Sequence, residues 1–176
     1  QVDCMKPFHP GRRMHGKFLT GDQGIGHFII RSVDDEATYN FYSMLGLVGS
    51  AEYKLKLPNG MVAKPIFMHC NDRQHSLAFG LGPMDKRINH LMLEYTELDD
   101  LGLSHDVVRE QDIDVAIKLG KHSNDQAYTF YMATPSGWLL ELGHGARKAM
   151  RQQEYYTGDI FGHGTEAKGY GMDVEM

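Results

Sequence analysis

One order of elements occurs twice along this chain, and an internal repeat narrows the fold more than composition does. In the first pass, His27-Phe-Ile-Ile-Arg-Ser-Val33 is an apolar strand, followed by Asp34 and Asp35 as N-cap candidates. Residues 36–45 then carry helical spacing, with Ala37, Phe41, Met44 and Leu45 on one side and Gly46 as the stop. Strands are predicted over 49–57, 61–70 and 75–80, the first two joined by Pro58-Asn59-Gly60 with its Asn-Gly hairpin signal. In the second pass, residues 88–95 are a strand and Asp99-Asp100 begins a helix running to about Gln111. Strands follow near 113–119, 127–133 and 138–143, the last two joined by the turn Thr134-Pro-Ser-Gly137. The pattern is βαβββ twice, which predicts an α+β fold of two paired modules.

The two passes can be set in register. His27 and His90 both lie in first strands, and 90 − 27 = 63. Ala78 and Glu141 both lie in closing strands, and 141 − 78 = 63. One offset therefore aligns both pairs. If the two sheets curve around one cavity, positions 27, 78, 90 and 141 converge on it. Three of them carry ligand side chains, and Ala78 leaves the fourth place to a methyl group.

Alternation along the strands sharpens this reading. His90, Met92 and Glu94 share one face, and Leu91 and Leu93 share the other. Glu141 sits among apolar neighbours in Trp138-Leu-Leu-Glu-Leu142. An unpaired carboxylate buried there costs several kcal/mol, so something must compensate it. A lone strand histidine is more often a core or surface residue than a ligand, and a lone glutamate can pair with Arg or Lys. Together, two imidazoles and one carboxylate with open positions are the ligand set of non-heme Fe(II) sites that activate O2.

A second polar group needs placing. His75 opens the closing strand of module one, and His122-Ser-Asn-Asp125 is a polar loop before the strand that carries Thr129, Tyr131 and Ala133 on one face. A neutral imidazole can act as a base near pH 7, and a tyrosine hydroxyl can hydrogen-bond a substrate oxyanion. From spacing alone, a polar turn and a core aromatic remain the simpler account of these residues. His69, His105, His144 and His163 carry no argument of their own, and His9 and His15 fall in the opening stretch.

Composition excludes more than it selects. The net charge is −5 with no concentrated Lys/Arg stripe, which argues against nucleic acid as a partner. No apolar run approaches the roughly 20 residues that span a bilayer, so no membrane is expected as a partner. Two cysteines, Cys4 and Cys70, cannot build a disulfide framework, and a cytoplasmic setting is expected. Residues 1–23, with Pro7, Pro10, Gly11, Gly16 and Gly21 and no periodicity, read as an arm or linker. A catalytic domain is expected over 24–146, with modules at about 24–82 and 86–146 and a tail over 147–176 packing on it.

The motifs Gly24-Ile-Gly-His-Phe28, Phe67-Met-His-Cys-Asn71, Lys86-Arg-Ile-Asn-His-Leu-Met-Leu-Glu94, His122-Ser-Asn-Asp125 and Phe130-Tyr-Met-Ala-Thr-Pro-Ser-Gly137 resemble those of type I extradiol ring-cleaving dioxygenases. Phe8-His-Pro-Gly11 and Tyr155-Tyr-Thr-Gly-Asp-Ile-Phe-Gly-His163 resemble the branch acting on 1,2-dihydroxynaphthalene, with 2,3-dihydroxybiphenyl enzymes close behind. The resemblance implies the vicinal-oxygen-chelate fold, a half-open barrel of paired βαβββ modules around a metal. It implies Fe(II), with Mn(II) as second choice, held by His27, His90 and Glu141. It further implies His75 as the acid/base residue, and His122 and Tyr131 as hydrogen-bond partners of the diol oxygens. Asp125, with Asn124, would support His122 from behind, and Phe67 and Met132 would shape the substrate pocket. An aromatic diol and O2 are the implied substrates.

Such enzymes carry a metal-free N-terminal domain of similar fold, and this chain resembles the C-terminal half alone. A separate N-terminal chain or self-association is therefore expected, to cover apolar surface left bare. Two other classes share the fold: metal-dependent transferases and isomerases of the fosfomycin-resistance and glyoxalase kinds, and non-catalytic aromatic-binding modules. The group His75, His122 and Tyr131 favours the dioxygenase.

Overall fold

The computed structural model describes residues 16–57, 60–150 and 152–170. The motif at 8–11, most of the expected arm, and Pro58 and Asn59 of the expected turn lie outside them.

Module one contains β1 (Gly26–Ile30), α1 (Asp35–Met44), β2 (Val48–Tyr53), β3 (Leu55–Lys56), β4 (Val62–Ala63), β5 (Ile66–His69) and β6 (Leu77–Phe79). Module two contains β7 (Ile88–Tyr95), α2 (Leu98–Glu110), β8 (Val115–Lys121), β9 (Tyr128–Ala133) and β10 (Leu139–His144), and a short β11 (Glu154–Tyr156) follows. The two long strands expected over 49–57 and 61–70 are each broken in two. Their outer pieces, β3 and β4, pair only with one another. Pro65, which has no N–H to give a ladder, separates β4 from β5.

Nine strands form one open sheet in the order β11-β2-β5-β6-β1-β7-β10-β9-β8. Each module contributes four consecutive places, and the antiparallel pair β1–β7 is the seam between them. The repeat offset reappears in the ladders. Ile29 lies opposite Ala78 where β1 and β6 run parallel, and Met92 lies opposite Glu141 where β7 and β10 run parallel. Adding 63 to the first pair gives the second.

Local signals explain the helix ends. The Asp34 carboxylate accepts the Ala37 N–H at 2.9 Å, an N-cap on extended backbone. Leu45 closes α1, and Gly46 takes φ +95°, the left-handed conformation that glycine adopts freely. α2 begins at Leu98, one residue earlier than expected, so Asp99 and Asp100 lie inside its first turn, where negative charge suits the helix dipole.

Both helices cover the same side of the sheet. Leu101 and Val108 of α2 pack with Tyr95, Val115, Phe130 and Leu142. Tyr39 and Tyr42 of α1 pack over Met68, Leu77 and Phe79. The side chains expected to face the core from α1 do not do so: Phe41, Met44 and Leu45 are exposed, beside exposed Val33 and Val48. The two tyrosines, on the neighbouring stripe, have the reach to meet the sheet.

After β10 the chain returns to module one, where Lys148 bridges to Arg73. It adds β11 to β2 in parallel, pairing Tyr156 with Tyr53. It then runs along β8, with bridges from Phe161 to Lys121 and from Thr165 to Ile117. Residues 154–167 thus form a strap joining the outermost strands of the two modules. No helix among the described residues is long and apolar enough to cross a membrane.

Candidate metal centre

The first and last strands of the repeat meet at one carboxylate. Glu141 is fully buried, and its Oε2 lies 3.0 Å from His27 Nε2 and 3.1 Å from His90 Nε2. Its other oxygen lies 3.1 Å from His122 Nε2. Burial would raise the Glu141 pKa, but hydrogen bonds from His122 and His27, with His90 close by, hold it well below the usual carboxylate range. Glu141 is therefore an anion in the interior.

His90 shows why hydrogen bonds alone do not complete this group. Its Nδ1–H donates to Asn89 Oδ1 at 2.8 Å, so in the neutral ring Nε2 carries a lone pair. Burial, opposed by Glu141, lowers the His90 pKa and favours that neutral form. Nε2 is buried and makes no hydrogen bond, although it lies beside a carboxylate oxygen. A lone pair facing an anion calls for a cation between them. One ligand atom from each of His27, His90 and Glu141 lies within 4.8 Å of the others, so the three fit a divalent metal. Ala78, the fourth equivalent position, is fully buried in β6 and offers no ligand.

The surrounding pocket has two chemical walls. Ile29, Leu55, Pro65, Phe67 and Leu81 from module one are apolar. His122, Asn124, Tyr131 and Glu141 from module two are polar, and His27, His75 and His90 lie among them. His75 stacks 3.9 Å from His27 between ring centres and meets the Phe67 ring edge-on at 4.8 Å. Its Nδ1–H donates to Gln74 Oε1 at 2.6 Å. Burial, reinforced by the neighbouring His27, pushes its pKa well below the usual histidine value, so its Nε2 is a free base. Tyr131 OH lies 2.8 Å from His122 Nε2. Burial and the Glu141 charge raise its pKa well above that of a free phenol.

Two expectations need correction. Met132 does not line this pocket; it packs on the α2 side with Leu93 and Leu140. Strand alternation is the cause: Tyr131 faces the pocket, so its neighbour faces the helix. Asp125 is not the support of His122. Its carboxylate accepts the Ala127 N–H at 2.9 Å and lies near His27 and His75. The carboxylate on His122 Nδ1 belongs to Asp159, at 3.1 Å. Asn124 exchanges hydrogen bonds with Tyr53, its Oδ1 accepting from the hydroxyl at 3.2 Å.

No role in the site followed from sequence for Asp159, His163 or Tyr53, although the first two lie in the motif at 155–163. The strap carries the first two inward: His163 Nδ1 lies 2.6 Å from Asp159 Oδ2, and His163 is buried. Burial would raise the Asp159 pKa, but hydrogen bonds from His122 and His163 depress it strongly. The run Gly-Asp-Ile-Phe-Gly-His has no periodicity that could place it, and the nearby Ile160 is exposed.

A sheet of two βαβββ modules with a two-histidine, one-glutamate group at its seam defines a class. The chain belongs to the Glyoxalase/Bleomycin resistance protein/Dioxygenase superfamily, whose family model matches residues 24–142. It is 72% identical over 176 residues to a 1,2-dihydroxynaphthalene dioxygenase of Sphingobium xenophagum, covering all of this chain and 59% of that protein. It is 71% identical, with the same coverage, to a biphenyl-2,3-diol 1,2-dioxygenase of Sphingomonas paucimobilis. A solved catechol 2,3-dioxygenase superposes with a TM-score of 0.88 at 65% identity, over 99% of this chain and 58% of that one. The chain thus spans about three fifths of the length of these relatives.

Proposed function

We propose that this chain binds Fe(II) through His27, His90 and Glu141 and cleaves an aromatic diol of the dihydroxynaphthalene or dihydroxybiphenyl kind with O2. The observation that supports this most is the two-walled pocket. The metal group, a neutral base and a hydrogen-bonding phenol face an apolar wall in one cavity. The names of the relatives support the substrate class. Mn(II) is the second choice of metal, since the donor set accepts both. Residues 24–146 make up the catalytic domain in this reading, and the strap over 154–167 completes it.

When bound, Fe(II) supplies Lewis acidity for the diol oxygens and a route for electrons from the diol to O2. The residues of the chain do the rest. Ile29, Leu55, Pro65, Phe67 and Leu81 hold the ring system and exclude water. His122 and Tyr131 hydrogen-bond the diol oxygens on the polar wall, orienting them toward Glu141. His75, held neutral by burial, takes a proton at Nε2, and Gln74 fixes its Nδ1–H. The Nε2–H so formed would be placed in the pocket to return that proton to an oxygen of the product.

The test is anaerobic Fe(II) loading, followed by 1,2-dihydroxynaphthalene or 2,3-dihydroxybiphenyl and air, with O2 uptake and ring-opened product followed together. Uptake that disappears in Glu141→Ala supports the reading. Iron binding with no uptake from either diol would overturn the substrate assignment, and no iron affinity would overturn the metal assignment.

A further inference from the structure

The strap holds a buried constellation that the proposed mechanism has not used. Asp159 stands between two imidazoles, with Oδ1 3.1 Å from His122 Nδ1 and Oδ2 2.6 Å from His163 Nδ1. His163 Nε2 lies 3.0 Å from Thr129 Oγ1, and that hydroxyl lies 3.3 Å from His122 Nε2. The four side chains form a closed ring of hydrogen bonds behind the polar wall. The rings of His122 and His163 lie 4.2 Å apart between centres.

The backbone is shaped to admit this group. His163 takes φ +59°, a left-handed conformation that a residue with a Cβ adopts at a cost, and it follows Gly162 at φ +76°. A Cβ on Gly162 would stand 2.3 Å from Leu119 O, and one on Gly120 would stand 2.5 Å from the His163 ring. Two glycines and one strained histidine thus seat His163 at 1% exposure. Packing alone does not call for such a device, because apolar side chains fill a core without the cost of desolvating a carboxylate. What Asp159 and His163 can do, and apolar residues cannot, is fix the direction of an imidazole.

We propose that Asp159 and His163 are positioning residues: they lock the His122 ring with Nδ1–H toward the strap and Nε2 toward Tyr131 and Glu141. The strap is in this way a working part of the reactive pocket. The Asp159, His122 and His163 donors lie close enough to hold a metal, but their nitrogens are already engaged by the two Asp159 oxygens, so they serve orientation. The kinetic part of this proposal rests on the diol-cleavage reading, and the ring orientation does not.

The first readout needs no activity. In the 15N-histidine-labelled, iron-free chain, a solvent-protected His122 Nδ1–H proton is expected by NMR. It disappears in Asp159→Ala and survives in Asp159→Asn, whose Oδ1 still accepts. The second readout uses the Fe(II)-loaded chain with 2,3-dihydroxybiphenyl. Asp159→Ala lowers kcat about 10- to 100-fold, the usual cost of losing an orienting partner, with KM and iron content nearly unchanged. Asp159→Asn restores much of that rate, and His163→Phe, which fills the space without the bond, loses part of it. Glu166→Ala, which removes an exposed ion pair with Arg109 in the same strap, leaves kcat unchanged. If Asp159→Ala does not fold, His163→Phe and Asp159→Asn carry the comparison. Wild-type kcat in Asp159→Ala, or a loss of kcat accompanied by lost iron and a raised KM, overturns the positioning role. An inactive wild-type chain overturns the diol-cleavage reading instead, and the Nδ1–H signal still decides the orientation.

Discussion

Asp159 and Glu141 face one another across the ring of His122, each with an oxygen 3.1 Å from one of its nitrogens. Two anions on one imidazole give the pair a defined pH window. The Asp159 pKa is depressed below 3.8 in the fold, so its contribution to stability is present above 3.8 and is lost as pH falls through the folded value. The His122 pKa is raised well above 6.5: burial would lower it, but the hydrogen bonds to Asp159 and Glu141 outweigh burial. Its contribution is present below 6.5 and is lost as pH rises through that raised value. The stability difference between the iron-free chain and Asp159→Ala should therefore be largest between those limits and shrink on both sides. Two charge-assisted bonds suggest a plateau of about 3–6 kcal/mol, which denaturant titrations across pH would measure.

His75 should behave as a chemical residue with no part in metal binding. His75→Ala is expected to keep its iron while kcat falls about 10²- to 10⁴-fold, the range for losing an acid/base group. Full activity with iron intact would refute the assignment.

The convergence of His27, His90 and Glu141 was legible in the sequence because two regularities met there. The repeat offset selected positions 27, 78, 90 and 141, and strand alternation chose which faces they share. The ladders preserve that offset for Ala78 and Glu141 but not everywhere. Phe67 pairs with Ala78 as Tyr131 pairs with Glu141, and 131 − 67 = 64, one residue more. Alternation also had the information to reject Met132, since Tyr131 already occupied the pocket face. Asp159 and His163 were illegible for a different reason. They reach the site through an irregular segment whose path is set by pairing with β2 and β8, a long-range relation that no local pattern encodes.

Metal should act as a folding ligand. A site that exists only in the native state stabilises it by mass action, by about 2.7 kcal/mol at 100 times Kd. Anaerobic Fe(II) is expected to raise the Tm of the chain in a concentration-dependent way. Glu141→Ala, which leaves two imidazoles and no charge, should abolish the shift.

The two pocket candidates should separate cleanly. Phe67→Ala widens the apolar wall and should raise KM for a diol while leaving iron content unchanged. Met132→Ala should cost about 2 kcal/mol of stability, at the low end for such truncations because it is half-buried, and leave KM alone. Chemical denaturation and steady-state kinetics on the same two variants would distinguish them.

Seating of the strap offers a backbone test. Gly120→Ala places a methyl group against the His163 ring, and overpacking of this kind costs about 1–3 kcal/mol. Thermal unfolding should show the loss, and the protected His122 proton should weaken with it.

The strap has one more consequence, which concerns other chains. An open sheet has two outer strands whose unpaired amides and carbonyls can recruit a neighbour's backbone, the usual beginning of edge-to-edge aggregation. Here one stretch of about a dozen residues attends to both. It lays the three-residue β11 along β2 and gives β8 the carbonyls of Phe161 and Gly164, together with the amides of Glu166 and Ala167. Shortening the chain before residue 154 would thus bare two templates at once, and the product should be found in the pellet.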